Sequence, residues 1–162
     1  MTKSILLDRL RQHVGKEISV SEWIEMEQER VDVFANCTGD HQWIHTNSAA
    51  ARKGPFGATI AHGYLLLSLL VTMSDWMRMP LGEAVVINYG LNKVRFLSPV
   101  KVGARIRNHA VIIEVEEKSD GRLLVTAGNT IEIESERRPA LVAETLTMFL
   151  PPLAKTNDQE QD

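Results

Sequence analysis

The most constraining feature of this sequence is a long apolar stretch, residues 60–79, that has almost no polar face. Five of its residues are leucines, namely Leu65, Leu66, Leu67, Leu69 and Leu70. Thr59 can cap a helix that begins here, and Pro80 can end it. Because a helix that is apolar on all sides is typical of a buried one, we predict a buried helix roughly 30 Å long, at ~1.5 Å per residue, around which the core is built.

The rest of the chain supplies the layer that covers this helix. Segments rich in Val, Ile, Leu and Thr predict strands over residues 16–26, 84–89, 92–97, 104–116, 123–134 and 140–150. Asp120-Gly121 predicts a hairpin between two of them. Helical spacing predicts helices over residues 3–14 and 28–37, the second ended by Gly39, and Asn47 can cap a further short helix. We therefore predict an α+β fold with a largely antiparallel sheet packed against one buried helix.

The length of 162 residues favours a single domain. We assign residues 1–153 to it, with the N-terminal helix inside residues 1–15. Residues 154–162 are polar and predict a flexible tail.

Charge and cysteine content limit the possible partners and location. The net charge of -3 and the lack of a basic run argue against a nucleic-acid partner. The longest apolar region, residues 64–73, is much shorter than the ~20 residues that span a bilayer, so we expect no membrane association. Cys37 is the single cysteine, which excludes an internal disulfide and favours a reducing compartment. We expect a cytoplasmic protein.

Asp40 and His45 are the strongest candidates for catalysis. They lie five positions apart in a loop between two predicted helices. A carboxylate and a neutral imidazole can each take a proton from a water held between them, and each can return it at neutral pH. The alternative is that Asp40 caps a turn and His45 packs at the start of the next helix.

Gly63, His62 and Trp43 are candidate substrate-binding residues. A glycine in the first turn of a helix lets a substrate carbonyl approach free backbone N–H groups, although it can equally permit close helix–sheet packing. His62 is next to it but is more simply a hydrogen-bonded core histidine, and Trp43 can wall a pocket or merely pack. We expect no metal site, because such a site would need three converging ligands. His13 and His109 have no special context, and Cys37 is interpreted as a core residue.

The combination Phe34-Ala35-x-x-Thr38-Gly39-Asp40-x-x-x-x-His45, followed by Ala61-His62-Gly63 and the apolar helix, resembles the MaoC-like (R)-specific enoyl-CoA hydratases. The similarity covers residues 16–150 and is nearest to the nodulation protein N-like subgroup. Many relatives have Asn-Pro where this chain has Gln42-Trp43.

This resemblance implies a hot-dog fold, in which a curved antiparallel sheet wraps a central helix, and a homodimer joined through sheet edges. It also implies an acyl-CoA thioester as substrate, with Asp40 and His45 as the catalytic dyad and the Gly63 N–H on the thioester carbonyl. No cofactor is expected beyond the coenzyme A of the substrate. The predicted reaction is reversible hydration of a trans-2-enoyl-CoA to an (R)-3-hydroxyacyl-CoA.

Two other functions are compatible with the same fold. An acyl-CoA thioesterase would need an acid on the central helix, where this sequence offers only Asp75. A non-catalytic acyl-CoA-binding or signalling protein would bind the thioester without turnover.

Overall fold

The computed structural model describes residues 3–74, 76, 85–119 and 121–150 of the 162-residue chain. The tail predicted over residues 154–162, the hairpin residue Asp120, and Asp75 lie outside the described residues. So does most of the last part of the predicted long helix. In chain order the elements are α1 (Lys3–Gln12), β1 (Glu17–Val20), β2 (Ile24–Glu25), α2 (Gln28–Thr38), α3 (Trp43–Thr46), α4 (Ser48–Ala51), α5 (Gly63–Leu69), β3 (Val85–Phe96), β4 (Arg105–Glu117), β5 (Leu123–Ile133) and β6 (Leu141–Leu150).

The strands form one antiparallel sheet in the order β1-β4-β5-β6-β3, with β2 also paired to β4. Alternate residues of β5 point to the core, from Leu123 through Ile131 to Ile133, because successive side chains of a strand face opposite sides. This curved sheet around α5 is the hot-dog fold, and it confirms the predicted α+β class.

Two helices share the inner face of the sheet. Leu65, Leu66 and Leu69 of α5 pack on one half of that face, against core residues that include Ile131 and Leu141. Leu7 and Leu10 of α1 cover the other half, together with Trp76. Burying these side chains holds α5 at a fixed height above the sheet, which positions the loop before it.

The prediction of a long helix that is buried on all sides was wrong in both its bounds and its burial. It begins at Gly63 because the residues before it are extended: Ile60 forms a bridge with Lys101, and the Ala61 N–H donates to the Val100 carbonyl. Thr59 therefore does not cap it. Its helical part ends at Leu69, and one side is open, since Tyr64 is 70% exposed. No helix among the described residues is long and apolar enough to span a bilayer.

Two strand predictions also need correction. The strands predicted over residues 84–89 and 92–97 are one strand, β3 (Val85–Phe96), which continues through Gly90 because irregularities in its pairing with β6 absorb the break. The first predicted strand is divided into β1 and β2. The helix predictions near the site are confirmed: Gly39 ends α2 with a positive φ of 79°, and the Asn47 side chain accepts the Ala50 N–H.

Candidate active site

Asp40 lies directly after the left-handed turn at Gly39, where α2 ends. Its carboxylate is 55% exposed. Two local hydrogen bonds at 3.4 Å involve this residue: its N–H donates to Thr38 Oγ1, and its Oδ1 accepts from the Gln42 N–H. The carboxylate has no ion pair with a lysine or arginine among the described residues, and so it is open to water or a ligand.

His45 is held from two directions within α3. The residue is 7% exposed, and its ring Nδ1 lies 2.7 Å from the Ile60 carbonyl oxygen. A carbonyl can only accept, so Nδ1 carries the proton and donates, which leaves Nε2 of the neutral ring as an acceptor. Gln28 Nε2 donates to the His45 carbonyl, at 2.8 Å, and fixes the backbone.

His62 joins the two candidate catalytic residues. It is 3% exposed, and its Nε2–H donates to the Asp40 main-chain carbonyl at 3.0 Å. Its ring stacks on the His45 ring with 3.7 Å between centroids and 24° between planes. One ligand-type atom from each of Asp40, His45 and His62 lies within 4.8 Å of the others. The structure therefore brings together three of the five predicted site residues at one spot.

Gly63 is the first residue of α5, next to His62. Among the described residues, none accepts a hydrogen bond from its N–H, as is usual for the first turn of a helix. A Cβ on this residue would lie 3.0 Å from the ring of Phe96 on β3. Gly63 thus allows the helix to approach the sheet more closely than a residue with a Cβ would, and its N–H remains available.

Trp43 lies at the start of α3, two residues before His45, and is 43% exposed. A Cβ on Gly54 would lie 2.8 Å from the Trp43 ring, so this glycine lets the indole rest on the backbone that follows α4. The residue both packs and presents a free edge to solvent.

The three clustered residues fit a metal ion poorly, although their distances would admit one. His45 Nδ1 is engaged by the Ile60 carbonyl, and His62 Nε2 by the Asp40 carbonyl. Imidazole lone pairs lie in the ring plane, and two nearly parallel rings 3.7 Å apart do not aim them at a common point. These three side chains are better suited to binding a proton or a water molecule than a metal ion.

A cavity of about 380 Å³ lies between α5 and the edge of the sheet. Its apolar lining comes from the far half of α5 and the residues just after it, and from β3 and β6, and includes Leu67, Leu70, Val71, Leu91 and Leu146. Since Phe96 touches Gly63 at one end of β3 while Leu91 lines the cavity further along, β3 and α5 both lead from the site to the cavity. The volume lies in the range of ligand pockets, ~300–1,000 Å³.

Sequence reasoning missed the groups that hold these residues in place. Gln28 and the Ile60 carbonyl both bind His45, and Phe96 packs on Gly63. All three contacts join residues at least 15 positions apart, so no local sequence pattern predicts them. Cys37 is exposed, so its interpretation as a core residue was wrong.

The chain is similar to several known proteins. Residues 9–135 match the family described as MaoC like domain. The chain is 43% identical over 136 residues to 3-hydroxyacyl-thioester dehydratase Z of Mycobacterium tuberculosis, covering 84% of this chain and 90% of that protein. It is 46% identical over 139 residues to Nodulation protein N of Rhizobium leguminosarum, covering 84% and 86%.

Solved structures share the fold. A monoamine oxidase regulatory protein of Archaeoglobus superposes with a TM-score of 0.70 at 25% identity, covering 82% of this chain and 88% of that one. An (R)-hydratase from A. caviae superposes with a TM-score of 0.63 at 21% identity, covering 80% and 96%.

Proposed function

The chain belongs to the MaoC-like domain family, and from this membership we propose that it is an (R)-specific enoyl-CoA hydratase. Relatives with this domain are named hydratases or dehydratases, which supports a hydro-lyase. The observation that carries the proposal is the meeting of the Asp40 carboxylate and the His45 ring beside the start of α5. The reaction is reversible addition of water to a trans-2-enoyl-CoA, giving an (R)-3-hydroxyacyl-CoA.

Substrate activation falls to the backbone at Gly63. Its N–H donates to the thioester carbonyl oxygen and draws electron density from C3, which makes that carbon electrophilic. The same hydrogen bond strengthens when the oxygen gains enolate character. Trp43, with its exposed edge, covers the thioester end of the substrate.

The dyad handles one proton. A water held between the Asp40 carboxylate and His45 Nε2 gives a proton to the pair as its oxygen bonds to C3, and the electron pair of the C2–C3 bond moves onto the enolate. The pair then returns one proton to C2 on the same face, so the enzyme regains its initial protonation state. The reaction needs no metal or cofactor besides the coenzyme A of the substrate.

The acyl chain occupies the cavity between α5 and the sheet. Leu67 is about 6 Å beyond Gly63 along the helix, at ~1.5 Å per residue. A thioester bound at Gly63 can therefore extend its chain directly over the leucines that line this space. Burial of the alkyl part stabilises the complex by roughly 0.8 kcal/mol per methylene.

The proposed assembly is a homodimer joined through β3. This strand ends the sheet, runs for 12 residues, and exposes apolar side chains that include Ile87 (43%) and Tyr89 (60%). A long apolar edge strand is a template for pairing with another strand unless it is covered. A second copy of this chain covers it and continues the sheet. We also propose a cytoplasmic location, because a single cysteine, Cys37, is typical of proteins in a reducing compartment.

Ile87→Lys tests the assembly, because it places a charge on the proposed interface. We expect light scattering to show a dimer for the wild type and a monomer for this variant. Ile113→Lys is the matched control: Ile113 is similarly exposed, at 44%, but lies on the interior strand β4. A wild-type monomer, or equal dissociation of both variants, would refute the assembly.

Loss of the enoyl absorbance tests the reaction, with purified protein and trans-2-enoyl-CoAs of increasing chain length. We expect turnover, and (R)-3-hydroxyacyl-CoA as the product. Release of free thiol without loss of enoyl would favour a thioesterase. Tight binding of acyl-CoA with neither change would favour a binding protein.

A further inference from the structure

We propose that His62 is a positioning residue that holds both members of the dyad in place, without itself exchanging a proton with the substrate. The inference rests on the hydratase function proposed above. It follows from the contacts of this one side chain, whose Nε2 also lies 4.0 Å from Asp40 Oδ2, and from its one nitrogen that has no hydrogen-bond partner among the described residues.

The first contact restrains Asp40. This residue follows a left-handed turn, and its other described hydrogen bonds, to Thr38 Oγ1 and from the Gln42 N–H, are both 3.4 Å long. The bond from His62 Nε2–H to the Asp40 carbonyl is shorter, at 3.0 Å. An exposed carboxylate on such a turn would otherwise sample many positions, so His62 supplies the main restraint on its backbone.

The second contact restrains the His45 ring. The Ile60 carbonyl fixes this ring only at Nδ1 and leaves it free to tilt about that hydrogen bond. The face of His62, with 3.7 Å between the ring centroids, restricts this tilt. On another side, Phe34 of α2 packs on the His62 ring with 5.1 Å between centroids, so the histidine is itself held.

The remaining ring atom argues against a role in proton transfer or substrate contact. His62 Nδ1 is buried and has no hydrogen-bond partner among the described residues. Nε2 already donates to the Asp40 carbonyl, and Nδ1 is closed off from solvent, so neither nitrogen is accessible to a ligand. A buried polar atom without a partner lowers stability, and a phenylalanine at this position would avoid that loss. A histidine here is explained by what its Nε2–H and its face do for Asp40 and His45.

Two variants separate the two restraints. His62→Gln keeps an N–H at about the position of Nε2 but loses the ring, whereas His62→Phe keeps the ring and loses the donor. We expect each to lower kcat about tenfold and His62→Ala about 100-fold, with KM changed less than threefold. The Tm of His62→Phe should equal or exceed that of the wild type. His109→Gln, a histidine on the outer face of the sheet, is the control and should keep full activity.

Coupling to Asp40 gives the decisive readout. Because His62 acts through the dyad, adding His62→Phe to Asp40→Asn should cause little further loss of kcat. Independent losses that multiply, a rise in KM at constant kcat, or a fall in kcat that follows a fall in Tm would each overturn the proposal.

Crystal structures of the Gln and Phe variants test the positional claim without turnover. They should show the Asp40 backbone displaced in His62→Phe and the His45 ring tilted in His62→Gln; unchanged positions in both would refute the role. If the wild type hydrates no enoyl-CoA, the proposed function fails, whereas these structures still test the positioning.

Discussion

His45 and His62 in the candidate active site, and His109 on the outer face of the sheet, all lie near carboxylates but use their ring nitrogens differently. His109 gives both nitrogens to side-chain carboxylates, at 2.8 Å from Glu17 and 2.9 Å from Glu132. The two site histidines instead bind main-chain carbonyls, those of Ile60 and Asp40.

The difference shows how this protein keeps the Asp40 carboxylate available to bind a ligand. Glu132 accepts from both Arg107 and His109, and these hydrogen bonds hold its pKa below the ordinary value. A carboxylate engaged in this way, through its Oε2, is held by its neighbours in the sheet and stabilises strand pairing. At the site, backbone acceptors orient the imidazoles, and the Asp40 carboxylate remains open to solvent. The comparison predicts that changes at the site affect turnover and changes at His109 affect stability.

The largest expected effect comes from the dyad. Asp40→Asn and His45→Gln should each lower kcat by about 10²–10⁴, since each removes a group that takes or returns the proton. Asp40→Asn should leave the Tm nearly unchanged, because the side chain is exposed. Steady-state hydration kinetics and thermal unfolding measure both quantities. Glu132→Gln is the control, with loss of stability but not of kcat; full activity in either dyad variant would remove the basis of the comparison.

The second largest effect is expected at Gly63, because this residue contributes both to helix–sheet packing and to binding of the thioester carbonyl. In Gly63→Ala the new Cβ meets the Phe96 ring at 3.0 Å. We expect unfolding free energy to fall by ~1–3 kcal/mol, as for overpacked cores, and kcat/KM to fall at least about tenfold because the thioester carbonyl can no longer approach the N–H closely.

Adding Phe96→Leu separates these two causes. The smaller side chain should restore stability in the double variant, measured by denaturant unfolding, but not kcat/KM. Recovery of both together would mean that Gly63 serves only helix–sheet packing.

The dyad and its loop were predictable because their signals are local. Gly39 ends α2 with the left-handed conformation that glycine favours, and Asp40 follows directly. His45 lies in the short helix α3 and not in the predicted loop, but it is only five positions further on. Strands β4, β5 and β6 were also predictable from the sequence, and the alternating burial along β5 confirms it, whereas β3 was predicted as two strands.

The contacts that arrange the site were not predictable, because they depend on residues far apart in sequence. The ring of His62 reaches Asp40 across 22 positions, and Gln28 reaches His45 across 17. The interpretation of His109 as a residue without special context was wrong for the same reason: its partner Glu17 is 92 positions away. Sheet register brings them together, and a single sequence does not specify register between distant strands.

The smallest effect is the pH dependence of stability at His109. Hydrogen bonds from this ring to Glu132 and Glu17 raise its pKa above 6.5, against a smaller opposing effect of burial. A raised pKa in the folded state means that the stabilisation is complete below 6.5 and is lost as pH rises through the folded value.

We therefore expect the Tm difference between wild type and His109→Gln to be about 1–3 °C near pH 5.5 and to shrink toward pH 8.5, since partly exposed ion pairs contribute little. His13→Gln provides the control, because the His13 ring binds only the Arg9 carbonyl and has no described carboxylate partner. A Tm difference that stays constant, or grows with rising pH, would show that His109 packs rather than pairs. His109 would then no longer differ from the site histidines in the way proposed.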